Sequence, residues 1–181
     1  MVFKSSKGFT LIEIIIVIVI LSIVSAITIN FLISSLKIYT MTVNQKTLFD
    51  EGKLALERMC RDIRDAQSIT SPTVGTSGNS ITFTRTNATA QDSAAESLTF
   101  QLTGSNLEKV KAATPYVIAG NVSTFTVTRD SGNEIQLFLE LSSVSGDATL
   151  KVTLQTKVYP KNLAKDSTYK NFFQKWKEKV S

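Results

Sequence analysis

The 23 residues from Ile14 to Leu36 contain only six polar side chains: Ser22, Ser25, Thr28, Asn30, Ser34 and Ser35. Coiled as a helix at about 1.5 Å per residue they span about 35 Å, enough to cross a hydrocarbon core about 30 Å thick. Eight of the ten positions from Ile14 to Ile23 are isoleucine or valine, which are mediocre helix formers in water. In lipid, every backbone polar group must be satisfied within the segment, so a helix is forced. Lys4 and Lys7 flank the N-terminal side, a bias that holds this end in the cytoplasm. One residue is out of character. In the run KGFTLIEIIIVIVILSIV, Lys7 to Val24, the carboxylate of Glu13 stands against the front of the apolar stretch.

Two ordinary readings of the segment fit poorly with that carboxylate. A secretory signal cleaved near Val24-Ser25-Ala26 has no use for it, and a plain single-pass anchor loses stability by carrying it. An acidic side chain inside an apolar span costs about 2.5–3.5 kcal/mol on insertion scales, less near the boundary. No cationic side chain lies within helical reach on its C-terminal side. Cleavage between Gly8 and Phe9 changes the situation by creating an α-ammonium at Phe9, with a free pKa of about 7.7–8.0. Glu13 then lies four residues from a positive charge, or meets the same charge on a neighbouring chain. Opposite charges in a poor dielectric penalise any packing that leaves one unpaired. Glu13 is therefore expected to act as a register device between side-by-side helices.

The remaining composition narrows the function classes. The chain has no histidine and one cysteine, Cys60. That removes the commonest general base and metal ligand and rules out an intramolecular disulfide. No glycine-rich phosphate loop and no diagnostic carboxylate pair is present, so no enzyme activity, cofactor or metal is expected. The formal charge of +5 is unevenly placed: residues 161–181 hold six lysines against Asp166 and Glu178. The middle of the chain is near neutral, and the basic pI does not by itself point to nucleic acid.

Beyond Leu36 the helical pattern continues. Leu48, Leu56, Met59, Ile63 and Ala66 share one face of a 3.6-residue period. Glu57–Arg61, Arg58–Asp62 and Arg61–Asp65 are i,i+4 opposite-charge pairs expected on the outer faces. One helix from Phe9 to about Gln67 is expected, with Gly52 a soft point in it and the stretch Ser68–Pro72 ending it. Cys60 reads as a small buried side chain. After Pro72 the period becomes two. Strands are expected at Ser80–Thr86, Ser97–Leu102, Val122–Arg129, Glu134–Leu141 and Leu150–Val158. Turns are expected at Asp130-Ser131-Gly132-Asn133 and Ser145-Gly146-Asp147. Asn87–Glu96 reads as a flexible polar insertion, and its Asn-x-Thr pattern is short and common. Asp130, Asn133 and Glu134 match no calcium motif. A long helix followed by antiparallel strands is an α+β fold.

The C-terminal stretch places Tyr169, Phe172, Phe173, Trp176 and Val180 at helical spacing among lysines. Such a basic amphipathic helix suits docking on its own domain, contact with a partner subunit, or binding to a membrane surface or DNA.

The run Lys7-Gly8-Phe9-Thr10-Leu11-Ile12-Glu13 before a long apolar helix resembles the leader of type IV prepilins and type II secretion pseudopilins. The resemblance implies a leader of residues 1–8, cleavage between Gly8 and Phe9 by a membrane prepilin peptidase, and N-methylation of Phe9. It implies that Glu13 sets subunit register during assembly. Residues 9–36 would form the membrane and filament-core helix, 37–70 its amphipathic continuation, 71–160 a β-rich domain and 161–181 a basic aromatic tail. The stretch Leu54–Ala66, with Arg61-Asp62-Ile63-Arg64, is similar to J-type minor pseudopilins and PilW-like minor pilins. Asn30 stands where major type IVa pilins carry proline, and a lone cysteine forbids their C-terminal disulfide loop. Both departures favour a minor subunit; retention of Glu13 speaks against the K-type tip subunit. The expected role is a minor pilin or pseudopilin that primes assembly and sits near the filament tip. Its expected partners are sister minor subunits, the major subunit, the peptidase and the inner-membrane assembly platform. Its expected place is the inner membrane, single-pass with the C-terminal domain outside the cytoplasm, and then the pilus or pseudopilus. The alternatives are a tip-displayed adhesin or DNA-capturing subunit, and an unrelated secreted β-domain whose mature chain starts at Ile27.

Overall fold

Helix α1 runs unbroken from Leu11 to Arg64 in the computed structural model, which describes residues 8–145 and 148–163. Two compact units divide between Val43 and Asn44. In the first, the large apolar side chains from Leu11 to Leu36 are all exposed. The helix carries a stretch long and apolar enough to cross a membrane. Its polar residues are turned back on the helix. Ser22, Thr28 and Ser35 donate hydroxyl hydrogen bonds to the carbonyls of Ile18, Val24 and Phe31, and the Asn30 amide donates to the Ala26 carbonyl. Each bond satisfies a donor that lipid cannot. The helix runs through Asn30 without interruption.

The second unit holds the C-terminal part of α1 and, among the described residues, nine strands. The strands are β1 (Ala66–Ser71), β2 (Thr76–Gly78), β3 (Ser80–Arg85), β4 (Ser97–Thr103), β5 (Asn106–Lys111), β6 (Thr114–Ala119), β7 (Val122–Arg129), β8 (Ile135–Ser145) and β9 (Ala148–Val158). They form two antiparallel sheets, β1-β3-β4-β5-β6 and β2-β7-β8-β9. The α+β class expected from the sequence is the one observed. The sheets meet where β7 neighbours β3, β4 and β5. Ile81 and Phe83, Leu98 and Phe100, Phe125 and Val127, and Ile135, Leu137, Leu139 and Leu141 are buried in alternation along their strands. Each such side chain contributes about 1.5–3 kcal/mol by leaving water. Phe83 and Phe100 meet with ring centroids 5.8 Å apart. Leu48, Ala55, Leu56, Met59 and Ile63 of α1 complete the core.

Several expectations are corrected. The helix ends at Arg64, and Ala66 and Gln67 belong to β1. The reason is competition for the backbone: the Asp65 carbonyl accepts from Thr86 N–H, and the Arg64 carbonyl accepts from Lys161 N–H. Gly52 is no soft point. A Cβ there would lie 2.6 Å from Leu141 Cδ1 and 2.7 Å from Leu154 Cδ1, so its missing side chain lets the helix approach the second sheet. Strands β1, β2, β5 and β6 were not expected, and β8 extends past Leu141 to Ser145. The Asp130–Asn133 turn is present, with the Asp130 N–H donating to the Glu134 carbonyl and Asn133 at φ 61°. Gly146 and Asp147 of the expected turn, and residues 164–181 of the basic aromatic tail, lie outside the described residues.

Candidate functional site

Gly8 and Phe9 precede α1, and both are exposed. Thr10 starts the helix: its hydroxyl oxygen and its carbonyl accept from the Glu13 N–H at 3.3 and 3.1 Å, and its carbonyl also accepts from Ile14 N–H at 3.3 Å. Thr10 thus caps the helix through its hydroxyl, with Glu13 at the N3 position. The Thr-x-x-Glu spacing is itself a sequence signature of a helix start. An acidic group in the first turn is also favoured by the helix dipole. Among the described residues, the Glu13 carboxylate forms no ion pair. A negative charge therefore stands at the head of an apolar, exposed helix with its own backbone satisfied and its counter-ion missing from the described part of the chain.

A second polar constellation lies in the sheet unit. Arg85 continues the inward phase of Ile81 and Phe83, so a guanidinium enters the core. It meets Asp62 of α1 at 3.0 Å, Asp92 at 2.9 Å and Asp65 at 3.5 Å. Lys109, in phase with buried Leu107 on β5, bridges Asp62 at 3.0 Å and Asp92 at 2.6 Å. Lys111 adds contacts to Asp92 and Glu96 at 3.7 and 3.5 Å. Burial works to raise the Asp92 carboxyl. The hydrogen bond and charge of Lys109, with Arg85 and Lys111, outweigh it and hold Asp92 below the ordinary carboxylate range. For Asp65 burial again opposes, and two hydrogen bonds from Asn87 together with Arg85 lower it. The cluster ties α1, two strands and the 87–96 loop together. It contains no unpaired nucleophile, and among the described residues no group of side chains is arranged to hold a metal.

This arrangement revises three readings. Asp62 and Asp65 point to Arg85 rather than to Arg58 and Arg61 along the helix; the i,i+4 ion pair observed on this face is Lys53–Glu57 at 3.8 Å. The 87–96 loop is anchored by Asp92, which is 4% exposed. Asn87 of the Asn-x-Thr pattern is engaged, its amide donating to Asp65 Oδ1 at 2.6 Å. Cys60 is half-buried rather than buried. Burial first of all raises its thiol, against an opposing hydrogen bond with Thr156 and the charge of Arg64.

The Asp130, Asn133 and Glu134 oxygens all serve internal donors. Asp130 accepts from Ser131, Asn133 from the Arg129 guanidinium, and Glu134 from Gln136, Lys157 and Tyr159. The Lys157 hydrogen bond, followed by that of Tyr159, lowers the Glu134 carboxyl.

Residues 3–29 match the family model described as the prokaryotic N-terminal methylation motif. The match covers Gly8, Phe9 and Glu13 together with the apolar stretch as far as Ile29, and it supports a type IV pilin-like family. No curated protein and no solved structure matches the chain.

Proposed function

We propose, from the premise that the methylation motif marks a type IV pilin- or pseudopilin-type protein, that this chain is a minor structural subunit of such a filament. Its apolar helix first anchors it in the membrane and then packs among other subunits. The observation that carries the reading is the Glu13 carboxylate, which stands without an ion-pair partner among the described residues at the head of the exposed, apolar part of α1 that runs to Leu36. Cleavage between Gly8 and Phe9 supplies the missing cation. N-methylation keeps the Phe9 nitrogen basic while adding apolar surface. In a bundle of such helices the lowest-energy register is the one that pairs each carboxylate with an α-ammonium, because an unpaired charge in a dry environment is strongly penalised.

The minor role is supported by two features. Asn30 continues α1 by bonding back to Ala26, where the major pilins it resembles have proline. Cys60 has no second cysteine with which to close a disulfide loop. The work of the chain is therefore assembly: it is a substrate of a peptidase and a neighbour of other subunits.

Mass spectrometry of the protein from its native host tests the reading. The expected mature chain begins at N-methylated Phe9. Retention of residues 1–8, or a chain beginning at Ile27, refutes it. Glu13→Ala is expected to be cleaved normally and to be depleted from sheared filaments; normal incorporation would show that the carboxylate does not set register.

A further inference from the structure

A groove of about 1100 Å³ opens on the sheet unit beside the charge cluster. One wall is the exposed side of α1, with Leu54, Arg58 and Arg61; the other is β6, with Tyr116, Val117 and Ile118. Successive side chains of a strand point to opposite faces. Tyr116 sits opposite Lys109 and shares its inward face, whereas Val117 sits opposite Glu108 and faces away; both line the groove, which therefore reaches the outer margin of β6. Among the described residues that edge is free: β6 is the last strand of its sheet, paired with β5 on one side. The groove ends where the Gly120 N–H reaches Glu51 of α1 at 2.6 Å, which closes helix to strand.

The walls carry their own specificity. Leu54 and Tyr116 on the groove side, and Val117 on the other face of β6, are 48%, 54% and 58% exposed, apolar surface that water does not favour. The charges are asymmetric. Lys109 and Lys111 are neutralised by Asp62, Asp92 and Glu96, and Glu57 is paired with Lys53. Arg58 and Arg61 are exposed and form no ion pair among the described residues, so the helix wall presents two free guanidiniums facing a free strand edge.

We infer that this groove accepts an extended, acidic segment of a partner polypeptide, which adds as a sixth strand to the edge of β6 and places carboxylates against Arg58 and Arg61. Strand addition engages the outward backbone groups of β6, to which Pro115 contributes no N–H, and supplies affinity independent of sequence. The arginine pair supplies the selection, since a guanidinium binds a carboxylate through two parallel hydrogen bonds. The alternate apolar side chains of the incoming strand lie on its opposite face, beside Val117. The inference concerns the sheet unit alone and does not depend on how the N-terminal helix is used.

The test uses the full chain in detergent and three dye-labelled synthetic peptides, with binding read by fluorescence anisotropy. One peptide alternates valine with glutamate. The second replaces glutamate by lysine. The third repeats the first with alternate backbone nitrogens methylated, which blocks strand pairing. The acidic peptide is expected to bind saturably, and the other two at least about tenfold more weakly. Arg58→Glu/Arg61→Glu is expected to weaken the acidic peptide about tenfold or more while leaving the circular-dichroism melt unchanged, since both side chains are exposed. Val117→Pro, which restricts the strand edge, is expected to weaken it as well. No saturable binding, equal binding of the lysine or methylated peptide, or indifference to the double reversal overturns the inference. Self-association of the chain that the double reversal abolishes would assign the groove to a second copy, and also overturns it.

Discussion

Replacing Arg85 by methionine tests whether the buried charge cluster holds the sheet unit together. The Arg85 side chain is 5% exposed and lies 3.0, 2.9 and 3.5 Å from Asp62, Asp92 and Asp65. Removing one member of a buried ion pair costs about 3–5 kcal/mol, because the partner charge is left in a poor dielectric. Here Lys109 still touches Asp62 and Asp92, so the loss belongs at the lower end, about 3 kcal/mol. At about 2–4 °C per kcal/mol for a protein of this size, the melting temperature should fall by about 10 °C. The assay is a thermal melt of the full chain in detergent, followed by the strand circular-dichroism signal at neutral pH and at several lower values. Asp92 and Asp65 are both held below their ordinary range. A carboxylate depressed in the folded state contributes stability above its unfolded pKa, about 3.9 for aspartate, and loses it as pH falls through the folded value. The parent should therefore hold its stability down to about pH 5 and lose it progressively below about pH 4. Arg85→Met should show a smaller acid loss, because a source of the depression is gone. A second change, Asp92→Asn, completes a cycle in which the two losses are expected not to add, since the residues touch. A variant within about 1 kcal/mol of the parent at pH 7, or one with an undiminished acid loss, refutes the reasoning.

Three further outcomes are expected. The two-residue turn between β5 and β6 places Ala112 at φ 46° and Ala113 at φ 66°, a left-handed conformation that costs a non-glycine residue about 1–2 kcal/mol; Ala113→Gly should stabilise by about 0.5–1 kcal/mol after the entropy of glycine is subtracted, and a lowered melting temperature would contradict it. Gly52→Ala should destabilise by about 1 kcal/mol, because overpacking against fully buried Leu141 outweighs the gain in helix propensity. A stabilised Gly52→Ala would restore the soft-point reading. Cys60 should react with iodoacetamide well below the rate of a free cysteine peptide at pH 7.5, because burial suppresses the thiolate that attacks; equal rates would show that the thiol is accessible and ionised.

The parts of the fold that were legible share one property: their apolar residues face one way. The exposed stretch Ile14–Leu36 and the alternating strands β3, β4, β7, β8 and β9 announce themselves through side chains whose transfer from water is favourable wherever they end up. The strand β5 was hidden because its inward positions after Leu107 are Lys109 and Lys111, which read as an outer face until Asp62 and Asp92 are beside them. Strand β6 was hidden because most of it is exposed, and β1 because its first residues continue a helical pattern that pairing with β3 overrides.

The candidate sites divide in the same way. Gly8, Phe9, Thr10 and Glu13 lie within six consecutive residues, so the signal, the cap and the anomalous carboxylate are set by local order alone. The pairings of Asp62 with Arg85 and Lys109 join positions 23 and 47 residues apart. The groove between α1 and β6 likewise brings Arg58 near Val117. Hydrophobic preference belongs to a residue and survives in the linear text. Whether a charge is paired, and whether a strand edge is free, depends on which distant segment the folded chain brings alongside it.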